Sequence, residues 1–256
     1  MEPPWPILEF DSTTDAMIQP DRVIRRRDVA DRCVMCFFQE VIDTLCQSGK
    51  ARQVARLRSE IGVNPVYEIV LNDERLTVLH PGVGAPLAAA FLEEAIALGC
   101  TKFIACGGAG VLASEIAMGH VVVPSVAVRD EGTSYHYLPP SREVEADPRG
   151  IAAIETVLRR HGVDYLVGKT WTTDAVYRET RERVQRRRSE GCLTVEMEAA
   201  TFFAVAKFRG VPVGQILYGG DDLGGTEWDH RDWVTSSNRE KVFWLAAEAC
   251  LELYRV

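Results

Sequence analysis

The chain has 256 residues, with 29 lysines and arginines against 37 aspartates and glutamates and a formal net charge of -8. That length suits one large layered domain, and the acidic balance excludes a surface built to displace counterions from a polyanion, so no nucleic-acid partner is expected. The two arginine runs, Arg25-Arg26-Arg27 and Arg186-Arg187-Arg188, read as solvated helix faces.

No stretch approaches the roughly 18 uninterrupted apolar residues of a membrane span, and residues 1–6 lack the basic-then-apolar layout of a secretory signal. No membrane partner and a cytoplasmic location are therefore expected. Seven cysteines are scattered, mostly in apolar segments. The one CxxC, Cys33 to Cys36, has no second pair at zinc-ligand spacing, so core thiols and no metal are expected.

In chain order, the first thirty residues are rich in proline and charge and read as an arm over the surface, with residues 31–256 as the folded domain. Residues 32–38 read as a strand and 39–60 as a charged helix. Runs at 66–71 and 76–80 flank Asn72-Asp73 as a hairpin. An Ala/Leu-rich helix at 86–98 follows Gly82-Val83-Gly84-Ala85, with Pro86 in its first turn and Gly99 after its last. Strands are expected at 101–106, 119–128, 165–172 and 213–218, and helices at 149–161, 179–190, 198–209 and 235–254. This alternation predicts an α/β fold: a single-domain three-layer α/β/α sandwich around a mixed, mostly parallel sheet.

Two acidic clusters stand out, Val195-Glu196-Met197-Glu198-Ala199-Ala200 and, twenty residues on, Gly219-Gly220-Asp221-Asp222. A carboxylate among Val, Met and Ala is costly to bury, so partners must wait for it. The second cluster follows an apolar strand, where open α/β sheets place their chemistry. Gly82-Val83-Gly84-Ala85-Pro86 and Cys106-Gly107-Gly108-Ala109-Gly110-Val111 read as two glycine-rich turns that could form one cradle for an anion or a sugar. The 129–137 loop, from Arg129 to Tyr137, concentrates polar and aromatic groups.

With Thr173-Asp174-Ala175-Val176-Tyr177, these motifs resemble the nucleoside phosphorylase/nucleosidase superfamily of purine nucleoside and uridine phosphorylases, over about residues 76–222. The resemblance implies that Glu198 holds the ribose hydroxyls while Met197 and Val83 pack on the sugar. Counting without gaps from Ala199-Ala200, the acid that protonates the departing base falls on Asp221, and a one-residue shift would make it Asp222. Gly84, Gly107, Gly108 and Arg129 are the expected phosphate contacts, and Val176, Tyr177, Arg178 and Glu196 the base side. His136 and the N-terminal arm are expected at a subunit contact, in a homo-oligomer with the dimer as unit and a hexamer as the larger form. The partners implied are a nucleoside and inorganic phosphate, the latter as co-substrate, with no organic cofactor.

Departures from the pattern keep the nucleophile open. Ala105 and Gly108 stand where such phosphorylases carry Arg and Ser or Thr, Phe37-Phe38-Gln39-Glu40 replaces an early phosphate loop, and Thr180 and Glu182 replace the uracil-reading Gln and Arg. The leading expectation is phosphorolysis to free base and (deoxy)ribose 1-phosphate. Hydrolysis by a nucleosidase is the alternative, and a non-catalytic nucleoside-binding protein is the third reading.

Overall fold

The computed structural model describes residues 5–232 and 236–253. After a 3-10 turn at Pro6–Leu8 come helix α1 (Pro20–Val23), strand β1 (Arg32–Cys36), helix α2 (Gln39–Gln47) and strands β2 (Arg52–Ser59), β3 (Gly62–Leu71) and β4 (Glu74–Leu79). Helix α3 (Ala85–Leu98), strands β5 (Lys102–Val111) and β6 (Val121–Asp130), a 3-10 turn at Thr133–His136 and strand β7 (Glu143–Glu145) follow. The chain continues through α4 (Pro148–Arg160), β8 (Tyr165–Thr173), a 3-10 turn at Val176–Arg178, α5 (Arg181–Ser189) and β9 (Cys192–Glu196). It closes with α6 (Ala199–Arg209), β10 (Val213–Asp222) and α7 (Ser236–Glu252). The ends of the last helix expected at 235 and 254 lie outside the described residues.

The α/β class and the helix-covered sheet are as expected. β1 alternates Cys33 and Met35 toward one face with Val34 and Cys36 toward the other, which is the two-residue period of a strand buried on both sides. Helices α2, α4 and α7 close over one face, and α3 and α6 over the other. The sheet is mixed, as expected. β1–β4, β1–β5, β5–β10, β6–β8 and β8–β9 are parallel, while β2–β3, β3–β4, β5–β9, β6–β7 and β6–β10 are antiparallel. Because β10 pairs with both β5 and β6, strands β5, β10, β6, β8 and β9 close on one another as a ring. The open sheet continues outward from β5 through β1, β4, β3 and β2.

Three sequence expectations change. The charged run at 39–60 is a short helix and then a strand, since Gly49 turns the chain at φ 72° and β2 sends Arg52, Arg56 and Arg58 outward while Ala55 and Leu57 point in. The glycine-rich 106–111 segment is the second half of β5, paired to β10 from Leu217 to Gly219, and so extends a strand instead of turning. Arg187, expected in a solvated run, is buried against Asp130 at 3.1 Å and Glu190 at 2.8 Å, with its guanidinium 5.6 Å from the Trp171 ring centre. The hairpin stands as read, with Asn72 and Asp73 at φ 53° and 62°, the left-handed pair that a tight turn requires.

Cys33, Cys36, Cys100, Cys106, Cys192 and Cys250 are buried free thiols, and burial pushes Cys192 and Cys250 up to about 12. They pack as small hydrophobes. Where α4 crosses β10 the backbones touch, and a Cβ on Gly150 would lie 2.7 Å from the Gly214 Cα. Neither backbone can yield like a side chain. Gly150→Ala should therefore lower the unfolding free energy by about 1–3 kcal/mol or more, read from the urea midpoint at unchanged m-value.

Candidate active site

The ends of β5, β9 and β10 and the head of α6 converge on a cavity of about 430 Å³. The strongest positioning element is the β9–α6 junction. Glu196, the last residue of β9, is buried, and its Oε1 accepts the Thr172 hydroxyl at 2.6 Å. Its Oε2 accepts the backbone N–H groups of Glu198 at 2.7 Å and Ala199 at 2.6 Å. A carboxyl group thus satisfies the open N–H groups of the first turn of α6, where the helix dipole also favours negative charge. Burial outweighs these bonds and pushes Glu196 up to about 7.

Glu198 is buried in the same place, and its Oε1 accepts the Gly84 N–H at 2.6 Å. Burial first, then the neighbouring Glu196, pushes it up to about 8. The bond joins the start of α6 to the turn before α3, 114 residues away in sequence. Gly84, expected at phosphate, therefore gives its N–H to Glu198, while Val83 beside it is 63% exposed and lines the cavity with Met197.

Gly107 and Gly108 line the cavity from β5. A Cβ would lie 3.0 Å from the Phe37 ring at the first and 3.2 Å from the Tyr218 ring at the second, so glycine is what lets these aromatics close on the strand. The Tyr218 hydroxyl accepts from Arg239 Nε at 3.0 Å, and Arg239 also bonds Glu40 at 2.7 Å. Arg239, from α7, is buried and lines the cavity as its cation, with its guanidinium 5.3 Å from the Phe38 ring centre. Gln215 on β10 reaches the same floor, next to Ala105, and its buried Oε1 has no hydrogen-bond partner among the described residues.

The two candidate acids separate cleanly. Asp221 lines the cavity, and its Oδ2 accepts the Trp228 indole N–H at 2.7 Å. Asp222 points away into the protein, with Oδ2 on Arg231 at 2.6 Å and Oδ1 on the Gly224 N–H at 2.7 Å and the Ser114 hydroxyl at 3.3 Å. Asp222 ties down the 222–231 loop and is withdrawn from the site. Beyond the turn at Val176–Arg178, Glu179 also lines the cavity, pushed up to about 7 by burial and then by the charge of Asp221.

Other expected residues lie elsewhere. Arg129 spends its guanidinium on Ser134 at 2.8 Å, Ser141 at 2.7 Å and the carbonyls of Leu138 and Pro139, which fixes the 134–141 loop and leaves it outside the cavity. Val176 lines the cavity, whereas Tyr177 is 95% exposed and Arg178 does not reach it. Glu196 lies at the wall, but its oxygens serve the helix head instead of a base. His136 is exposed and lines a second cavity, of about 800 Å³, between the N-terminal arm and α3. Sequence reasoning missed Phe37, Phe38, Glu179, Gln215 and Arg239 as cavity residues. Nothing in an amphipathic helix distinguishes an inward arginine such as Arg239 from its outward neighbours until the helix is docked.

Among the described residues no helix is long and apolar enough to cross a membrane. The profile of the phosphorylase superfamily matches residues 31–251. Over 219 residues the chain is 31% identical to a guanosine phosphorylase of Halorubrum lacusprofundi, covering 80% of this chain and 90% of the relative. Over 154 residues it is 30% identical to a uridine phosphorylase of Thermococcus kodakarensis, covering 55% and 56%. In fold it is similar to a uridine phosphorylase from Vibrio fischeri (TM-score 0.73, 22% identity, 95% of this chain and 100% of that one). It is likewise similar to a purine nucleoside phosphorylase from Toxoplasma gondii (TM-score 0.76, 20% identity, 94% and 98%). With the family profile spanning all but the two ends, and a central mixed sheet common to these structures, the chain belongs to the phosphorylase superfamily, that of the nucleoside phosphorylases.

Proposed function

We propose that this protein cleaves the N-glycosidic bond of a nucleoside by phosphorolysis, releasing free base and (deoxy)ribose 1-phosphate. Residues 31–256 are the catalytic domain, working in a homo-oligomer whose contact includes the arm and His136. The observation that carries the reading is the Glu198 carboxyl, buried at the cavity wall and steered there by the Gly84 N–H. Cleavage builds positive charge on the ribose ring. In its ionised form, populated as pH rises through about 8, the Glu198 carboxyl bonded to the ribose hydroxyls orients the sugar and favours that charge from a buried position. Met197 and Val83 supply the apolar surface beside it.

At the other end of the glycosidic bond, Asp221 keeps Oδ1 for the base while Trp228 holds Oδ2. It stands where the departing base takes up a proton, which makes a neutral leaving group. Phosphate is taken at the Gly107–Gly108 end, where Arg239 supplies positive charge in an otherwise acidic cavity. The guanosine phosphorylase relative, matched over 90% of its length, supports phosphate as the nucleophile. Hydrolysis is the second reading, because Ala105 and Gly108 offer no side-chain donor to an anion.

Free base released from guanosine, adenosine and uridine should depend on added phosphate and appear with an equal amount of sugar 1-phosphate. Turnover at the same rate without phosphate would assign water as nucleophile. The acids separate by measurement. Asp221→Asn should lower kcat by about 10²–10⁴-fold at unchanged stability. Asp222→Asn should keep kcat within roughly tenfold and cost about 3 kcal/mol or more of unfolding free energy, because Arg231 loses its buried partner. The reverse pattern would exchange their roles.

A further inference from the structure

Among the described residues, every carboxyl group lining the cavity but one has a committed partner. Glu196 holds the head of α6, Glu198 holds Gly84 and Asp221 holds Trp228. Glu179, which ends the 3-10 turn at the base side, has no hydrogen-bond or ion-pair partner for its carboxyl among the described residues, although it is partly buried and lines the cavity. A half-buried carboxyl group without a partner is costly, and a ligand that completes its bonding recovers that cost.

A carboxyl group presents two polar atoms side by side. Ionised, both accept; protonated, one donates and the other accepts. Base edges differ in the same terms. A 2-amino-6-oxopurine shows two adjacent N–H donors, at N1 and the 2-amino group. A 6-aminopurine shows an acceptor at N1 beside a 6-amino donor. Uracil shows one N–H flanked by two carbonyl acceptors, which meet the lone pairs of a carboxylate unfavourably.

We propose that Glu179 reads the edge of the departing base and that its protonation state selects the base: the carboxylate takes a 2-amino-6-oxopurine and the carboxylic acid takes a 6-aminopurine. This rests on the nucleoside-cleaving reading above and adds to it the class of base. Burial, then the charge of Asp221, brings Glu179 up to about 7, so both forms are populated near neutrality. The charged groups around it come from several elements. Asp221 on β10 acts on it directly, Glu196 on β9, Glu198 at the head of α6 and Arg239 on α7 share the cavity, and Arg181 on α5 is drawn off to the Thr226 carbonyl. Ionisation of the Glu196–Glu198 pair changes the handling of the ribose common to both nucleosides, so it cancels in their ratio.

The test uses the full chain with guanosine and adenosine, measuring kcat/KM with phosphate and, separately, calorimetric Kd, across about pH 6 to about pH 8. For a group at about 7, the ionised-to-protonated ratio changes about a hundredfold over that window, and the guanosine-to-adenosine preference should rise by a similar factor. Glu179→Gln keeps one donor and one acceptor at every pH, so its preference should be flat and on the adenosine side. A constant wild-type ratio, a Glu179→Gln ratio that titrates like wild type, or uridine turned over faster than both purines would overturn the proposal. Base release with a flat ratio removes this inference alone. Nucleoside binding without base release removes the proposed reaction, while the Kd ratio still decides the role of Glu179.

Discussion

The structure turns on two buried carboxyl groups two residues apart at the head of one helix. Glu196 gives both its oxygens to the protein, bonding Thr172 of β8 and two N–H groups of α6. That fixes the backbone from which Glu198 reaches the Gly84 N–H before α3. Three segments far apart in sequence meet through one short stretch. Losing the Glu196 bonds would release the helix head, and with it the placement of Glu198 at the cavity wall. The raised values of both groups, about 7 and about 8, record how much burial the arrangement tolerates for the sake of that position.

The sheet is shaped around the same place. β5 runs on through its glycines to pair with β10 and β9, so that the ring of strands brings Gly107 and Gly108, Glu196 and Asp221 to one cavity. Bare backbone at Gly107 and Gly108 lets Phe37 and Tyr218 pack against the strand, and Tyr218 in turn holds Arg239 at the cavity wall. Charge at the site is therefore arranged by layers of packing: carboxyl groups from β9, α6, β10 and the turn before α5 on one side, and a guanidinium from α7 on the other.

Much of this was legible in the chain, and the failures share a cause. The Val195–Ala200 motif pointed to the cavity wall because a pair of glutamates inside an apolar run has few structural explanations. The Asn72-Asp73 hairpin was legible because tight turns tolerate few residue types. What was not legible depends on partners brought by the fold. Asp221 and Asp222 are identical in sequence terms, and Arg231, nine residues on, is what withdraws Asp222. Arg129 and Arg187 look like free cations until the loop and the strand that consume them are in place. β2 hid because its outward arginines outnumber its inward Ala55 and Leu57, and the glycines of β5 mimic a turn where they serve close packing.

The central claim is that Glu198 acts on the ribose hydroxyls. A cycle between the residue and those hydroxyls tests it most directly, comparing kcat/KM for a ribonucleoside and its 2′,3′-dideoxy analogue in the wild type and in Glu198→Ala. If Glu198 holds the hydroxyls, the wild type should lose about a hundredfold or more on the dideoxy substrate, and the variant should tell the two apart by less than roughly fivefold. An equal loss in both proteins would contradict the account, because the hydroxyls would then be held by something other than Glu198.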